Sequence, residues 1–298
     1  MSVDRRSLEG LALLGTVVEA GSFVRAGEAL GLTQSAVSRA IARLEERVGV
    51  RLFRRSARAS ALTDEGRRFY AAIAPHLAAI ADATSEAADA STQIRGRLRI
   101  NVDAGIAQFV LTPRLQPFLT QHPRLFVELA VRDRLGDLVS DGFDAAIRFG
   151  LPQPSSLKAR LLMRARIVTC AAPAYLARRG KPRQPRDVAE HECILMRNPT
   201  TGSHYGWEFV RGKKVVTVDV SGHLMVNDGG SLLAACAGGQ GLAQLIEPHA
   251  RTQLADGRLV QVLPEWADET YPMYAYHAPE RISAKLRALL EFVAGLTR

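Results

Sequence analysis

The chain of 298 residues is poor in cysteine: Cys170, Cys193 and Cys236 lie far apart, are odd in number and form no C-x-x-C pair. That excludes a disulfide framework and a cysteine-based zinc cluster, and it fits a reducing cytosol. No apolar run reaches about 18 residues, so neither a membrane span nor a membrane partner is expected. The start, Met1 to Arg6, has no apolar signal core and no A-x-A cleavage site, so a cytoplasmic location is expected. Also missing are a G-x-S-x-G elbow, an H-E-x-x-H helix and a G-x-x-x-x-G-K-[ST] loop. The glycines of 238–241 lack dinucleotide-binding spacing and read as a helix-to-strand turn. No catalytic residue, metal site or cofactor is expected. Lysine is scarce as well, with Lys158, Lys181, Lys213, Lys214 and Lys285 the only five among 39 basic residues. The resulting arginine excess, with abundant alanine, is also what a GC-rich coding sequence produces.

What is present is enough apolar material for a folded protein of two domains, with hydrophobic residues at 47% and charged residues at 23%. The formal charge is +9 and the pI about 9.9, which admits nucleic acid, an anionic membrane or acidic metabolites as partners. The charge is unevenly placed. Residues 1–62 hold ten arginines against six acids, and between Arg39 and Arg58 there are seven arginines and two glutamates. A basic cluster of that density on one short module points to DNA.

Apolar residues Leu8, Leu11, Leu14, Val17 and Val18 recur at helical spacing from Ser7 to about Ala20, where Gly21 ends the helix. Ser22 caps a second helix that Gly31 closes, and Thr33 caps a third, from Gln34 to about Val48, stopped by Gly49. Two short helices across the turn 31–33 match a helix-turn-helix. Val50 to Phe53 and Ala59 to Leu62 read as short strands around the basic turn from Arg54 to Arg58, a candidate wing. From Thr63 to about Thr92 a long alanine-rich helix carries one narrow seam, Phe69, Ile73, Leu77 and Ile80, suited to pairing with another helix, with Pro75 loosening it locally. After Gly96 strands and helices alternate, which predicts an α/β region with mainly parallel sheets. Within it Phe109, Leu115, Phe118 and Leu119 predict one helix between strands at 98–102 and 126–131.

The runs 21–30 (GSFVRAGEAL) and 33–41 (TQSAVSRAI), with Leu44, Glu45, Gly49, Leu52 to Arg55 and 62–66 (LTDEG), resemble a LysR-type transcriptional regulator. The resemblance continues through 96–100 (GRLRI), 144–150 (DAAIRFG), 172–176 (APAYL), 207–209 (WEF), 226–228 (VND) and 239–245 (GQGLAQL). It implies a winged helix-turn-helix domain at 1–62, a dimerising linker helix at 63–93, and an effector-binding region at 94–298. That region would form two α/β lobes like periplasmic solute-binding proteins, lobe I at about 94–165 and 268–298, lobe II at about 166–267. The implied partners are double-stranded promoter DNA, a small effector, and further copies of the chain, as a dimer through the linker helix and a homotetramer. Around Arg148, Trp207 and Asn227-Asp228 the texture resembles members answering to small organic or aromatic acids. Three positions depart from the family: Gly27 replaces a usual Ala, at about 1 kcal/mol of helix propensity; Asp103 replaces an uncharged residue; and Ala172 replaces a common Ser.

A recognition helix needs short polar or forked side chains against base edges, and Gln34, Ser35, Ser38 and Arg39 fall on the exposed side of the third helix. Arg54, Arg55 and Arg58 on the wing, with Thr63, are placed to contact phosphate or the minor groove. For the effector, the candidates are Asn101, Asp103 and Ala104 after the first strand, Arg148, then Thr201, Ser203 and His204, and Asn227 with Asp228. Backbone N–H groups and hydroxyls at helix starts suit a carboxylate. Asp103 opposes that, unless it pairs with Arg148 or with an amine on the ligand. His204 carries no catalytic signature. The alternative reading is a solute-binding or enzymatic α/β protein with a vestigial DNA module.

Overall fold

The structure is a computed structural model that describes residues 5–54, 61–88, 94–138, 140–279 and 282–296. The wing turn beyond Arg54, with Arg55 and Arg58, and the end of the linker helix past Ala88 lie outside the described residues. The chain divides into two compact units near residue 92.

The first unit begins with α1 (Arg5–Ala20), α2 (Phe23–Leu30) and α3 (Gln34–Val48). Their ends follow from local chemistry. Ser22 accepts a hydrogen bond from the Arg25 N–H and Thr33 one from the Ala36 N–H, at 3.1 and 3.2 Å. Gly31 and Gly49 close α2 and α3 at φ 65° and 80°, a region other residues enter only with strain. Leu14, Val17, Val37, Ile41, Leu44 and Leu52 meet in a dry core, each aliphatic side chain contributing about 2 kcal/mol of burial. Leu8, expected on the inner face of α1, is exposed instead. Of the two expected wing strands, the described residues show one antiparallel bridge, Phe53 to Leu62, flanked by the bonds Arg54 N to Ala61 O and Thr63 N to Leu52 O.

The linker helix, α4 (Asp64–Ala88), runs on through Pro75. Part of its seam is spent at home, since Phe69 and Ile73 pack against the helix-turn-helix core and Leu77 lies against Gly15 of α1. Ile80 is half-exposed. Gly66 sits so close to Leu52 that a Cβ would collide with the Leu52 carbonyl, which fixes where the first turn of α4 packs.

The second unit contains β1 (Arg95–Val102), a short α5 (Gln116–Gln121), β2 (Arg124–Val131), β3 (Ala145–Phe149), β4 (Lys158–Ala171) and α6 (Pro173–Arg179). It continues with β5 (Ile194–Met196), β6 (Trp207–Arg211), β7 (Lys214–Val218), β8 (Leu224–Val226), α7 (Gly229–Ala237), β9 (Ala243–Ile246), α8 (Glu247–Ala255), β10 (Val260–Val262), β11 (Thr270–His277) and α9 (Ala284–Gly295). The single helix expected between β1 and β2 is broken into a π-helical turn at Ile106–Leu111, a 3₁₀ turn at Thr112–Arg114 and α5. Pro113 and Pro117 supply the reason, each lacking the N–H that a continuous helix would use.

The main sheet runs β10-β4-β11-β3-β1-β2, with β9 also on β4. Strands β2, β1 and β3 are parallel, but β11 enters antiparallel between β3 and β4, and β9 and β10 are antiparallel to β4. The expected mainly parallel sheet is therefore mixed. One apolar core gathers Leu98, Ile100, Ile106, Phe118, Ile147, Met273 and Leu289, and two others form around Val168, Leu232 and Leu245 and around Tyr175, Phe209 and Leu242. The long β4 serves both groups: its first half pairs with β11 and its last residues with β9 and β10.

Candidate functional site

On α3 the inner stripe Val37, Ile41 and Leu44 faces the core, so helical geometry turns Gln34, Ser35, Ser38 and Arg39 outward, with Ala42 and Arg43 one turn on. Gln34, Ser38 and Arg39 have no hydrogen-bond partner among the described residues, while the Ser35 hydroxyl lies 3.1 Å from that of Thr33. This face offers amide, hydroxyl and guanidinium groups, the types that can pair with base edges. Arg54 is exposed at the last described residue before the wing turn.

Thr63 has a structural part in the fold. Its hydroxyl donates to the Arg51 carbonyl at 2.6 Å and accepts from the Gly66 N–H at 2.9 Å, so it caps α4 and ties it to the wing bridge. Sequence reasoning gave Glu45 no role, yet its Oε1 accepts the N–H groups of Leu52 and Phe53 at 2.7 and 3.0 Å. That carboxylate pins the wing to the recognition helix. Gly27 also has a purpose that propensity hid: a Cβ there would stand 2.5 Å from the Leu32 carbonyl, so only glycine lets the turn fold onto α2.

In the second unit the structure joins Asn101, Asp103 and Arg148. Asn101 is fully buried and its Nδ2 donates to the carbonyls of Arg134 and Leu135, both at 3.1 Å. The Arg148 guanidinium donates to Asn101 Oδ1 at 2.5 Å and to the carbonyls of Asn101, Ile147, Arg132 and Arg134 at 2.8–3.2 Å. Asp103 Oδ1 accepts from the Ile106 N–H at 2.7 Å and caps the turn that starts at Ala104. Burial pushes the Asp103 carboxyl up, against the pull of that bond and of Arg148.

Asp228 caps α7 through the Ser231 N–H at 2.9 Å, and hydrogen bonds from Ser231 hold its carboxyl below the usual range; Asn227 beside it is exposed. Thr201, Ser203 and His204 form the turn between β5 and β6, braced by Asn198 N to Ser203 O at 2.7 Å and by His204 Nδ1 donating to the Tyr205 carbonyl. Among the described residues no hydrogen bond or ion pair joins these three to Asp103 or Arg148.

What joins the lobes had no sequence motif. His249 on α8 is 6% exposed, stands over the Phe109 ring at 4.8 Å and edge-on to Phe149 at 5.9 Å. A Cβ on Gly105 or Gly229 would come within 2.8 Å of its ring, so two glycines from different elements make room for it. Phe149 stacks on Tyr271 at 6.1 Å, and burial, reinforced by Tyr205 and by the charges of Asp103 and Glu269, pushes the Tyr271 hydroxyl up. Among the described residues no group of three or more His, Cys, Asp or Glu is placed to hold a metal, and no single helix is long and apolar enough to cross a membrane.

Comparison with known proteins agrees with both units. Residues 8–67 match the family described as bacterial regulatory helix-turn-helix protein, lysR family, and residues 91–297 match the LysR substrate binding domain. A putative transcriptional regulator of Pseudomonas aeruginosa is 34% identical over 93% of this chain and 90% of its own length. The HTH-type transcriptional activator TtdR of Escherichia coli is 33% identical over 96% of this chain and 92% of its own. Among solved structures, CrgA, a LysR-type transcriptional regulator from Neisseria meningitidis, covers 97% of this chain with 99% of its own, at 29% identity and a TM-score of 0.62. The two family matches together span nearly the whole chain, and the chain belongs to the LysR family of transcriptional regulators, not to a family of enzymes.

Proposed function

We propose that the chain is a cytoplasmic, sequence-specific DNA-binding regulator whose promoter affinity is set by a small organic effector held between the two lobes of its second unit. The observation that carries the DNA half is the outward face of α3, where the side chains of Gln34, Ser38 and Arg39 have no partner among the described residues, opposite a buried stripe. Gln34 and Arg39 suit adenine and guanine edges, with Ser35 and Ser38 beside them. Arg54, Arg55 and Arg58 serve phosphate or the minor groove, and Thr63 supports them as a cap. The domain division is that expected from sequence: 1–62 for DNA, 63–93 for the linker, 94–298 for the effector, with lobes parting near 165 and 268. Dimers form through α4 and pair into a homotetramer on a partly palindromic site.

The effector half rests on Asp103, Ala104, Arg148, Asn101, Asn227, Asp228 and the turn at Thr201, Ser203 and His204 as the frame of the cleft. Phe109, Phe149 and Tyr271 favour an aromatic body. The carboxylate head of the expected organic or aromatic acid has the least support, because the guanidinium expected to meet it is already bonded to the chain. Effector and DNA must alter each other's affinity by the same factor.

The test is an electrophoretic shift at moderate salt with DNA flanking the protein's own coding region. Retention at concentrations about a thousandfold below those needed for shuffled DNA is expected. Equal affinity for both would sink the regulator reading in favour of a vestigial DNA module on a solute-binding or enzymatic protein.

A further inference from the structure

A histidine ring is packed where two cores of the second unit meet. The π-helical turn at Ile106–Leu111 sends Ile106, Val110 and Leu111 into the core that holds Leu98 and Ile147, and turns Phe109 onto the one that holds Val168 and Leu245. His249, on α8, meets that reach: Phe109 lies across its ring at 4.8 Å and Phe149 stands edge-on at 5.9 Å. Glycines lie against both ring nitrogens, since a Cβ on Gly105 would stand 2.8 Å from Nε2 and one on Gly229 would stand 2.8 Å from Nδ1. A lobe II side chain is thus boxed in by Gly105, Phe109 and Phe149 of lobe I, with Gly229 of its own lobe behind it.

Packing favours this contact and its polar atoms oppose it. His249 Nε2 and Gln253 Oε1, one turn apart on the same face of α8, are buried without a hydrogen-bond partner. In either tautomer Nε2 faces the Gly105 Cα–H rather than a donor or an acceptor. Each of the two atoms gives up hydration that the closed junction does not replace and regains it when the lobes part, which weakens closure by about tenfold per atom. An apolar side chain of the same size would fill the room without that cost. Aromatic contact on one side and two stranded polar atoms on the other bring the closed and open junctions closer in free energy than a purely apolar seam would allow.

We propose that His249 is a latch between the lobes, closed by Gly105, Phe109 and Phe149 and kept weak by its own Nε2 and by Gln253 Oε1, so that the junction opens and recloses in the folded chain. A ligand that prefers one of the two states then needs only a small difference in affinity to shift the population. The inference rests on the division of the second unit into lobes and is independent of what the effector is.

The experiment uses the full chain without effector and follows the modification of each histidine by diethyl pyrocarbonate at neutral pH, read by peptide mass. His223, with a side chain 97% exposed, is the internal standard. His249 is expected to react more slowly than His223 but faster than the globally unfolded population allows. Gln253→Leu keeps the shape of the seam and removes one stranded atom, so His249 should react about tenfold more slowly. Gly105→Ala suits the helical backbone there, at φ −66°, and acts through its Cβ on the ring, so His249 should react about tenfold faster. Melting curves verify that both variants fold. Reaction of His249 only at the pace of global unfolding overturns the latch, and so does a rate that Gln253→Leu leaves unchanged or raises. A Gly105→Ala rate no higher than that of the wild type also overturns it. None of these outcomes bears on the regulator reading, which stands or falls by the electrophoretic shift.

Discussion

On α3 the polar side chains point to water and those of Gln34, Ser38 and Arg39 have no partner among the described residues, whereas at the interlobe junction Asn101, Asp103, Arg148 and Asp228 are all bonded within the chain. The contrast follows from solvation. An exposed side chain loses nothing by waiting, because water satisfies it until DNA arrives. A buried one costs free energy unless the fold satisfies it in advance. Functional groups on a surface are therefore the conspicuous ones, while in a packed junction the atoms left over are few, among the described residues His249 Nε2 and Gln253 Oε1.

Replacing Arg148 is the largest way to break this contrast. Arg148→Met strands Asn101 Oδ1 and several carbonyls, and should lower the stability of the second unit by about 4 kcal/mol, read as the fall in its melting transition. A variant that melts like the wild type would mean the guanidinium is free for ligand after all. Glu45→Ala should cost the first unit about 2 kcal/mol, because the N–H groups of Leu52 and Phe53 lose a charged acceptor. Arg39→Ala should leave both melting transitions in place yet remove about 2 kcal/mol of discrimination at one base position, measured by competition between promoter variants. Uniform loss across all sequences would reassign Arg39 to phosphate.

The smallest effect is a pH slope. Burial holds His249 down to about 4, so the unfolded chain takes up that proton from about 6.5 downward while the fold refuses it, and acidification across this window costs stability. Glu269 works the other way: burial, helped by Glu208, pushes it up to about 7, so the fold keeps a proton the unfolded chain loses near 4.5, and raising the pH costs stability. Between 4.5 and 6.5 the two oppose each other. Glu269→Gln removes one, and its melting temperature should fall more steeply than that of the wild type as pH drops from 7 to 4.5. Parallel curves would show Glu269 to be solvated like a surface carboxylate.

The first unit was open to sequence reading because its decisions are local. Ser22, Thr33, Gly31 and Gly49 each act on a backbone group within a few residues, so their type and spacing reveal the helix ends. Gly27 was readable only as a weak helix position, since its reason, the Leu32 carbonyl, is a matter of packing. In the second unit, apolar spacing identified the segments at 106–121 but gave Pro113 and Pro117 too little weight. Alternation of strands and helices cannot reveal that β11 returns antiparallel between β3 and β4. Arg148 drew attention by its charge, which says nothing of the five acceptors around it. His249 belongs to no motif, and only the glycines across from it, far apart in sequence, make its position meaningful.

The fourteen residues of β4 have a mechanical consequence. Because the same strand is bonded to β11 along one stretch and to β9 and β10 along the next, the two lobes share a continuous hydrogen-bonded ribbon, and β11 follows it with a register shift between Met273 and Tyr274. A ribbon of this kind resists stretching and shear but yields to torsion, the deformation strands already adopt. The lobes therefore behave less like jaws on a hinge than like two weights on a torsion bar.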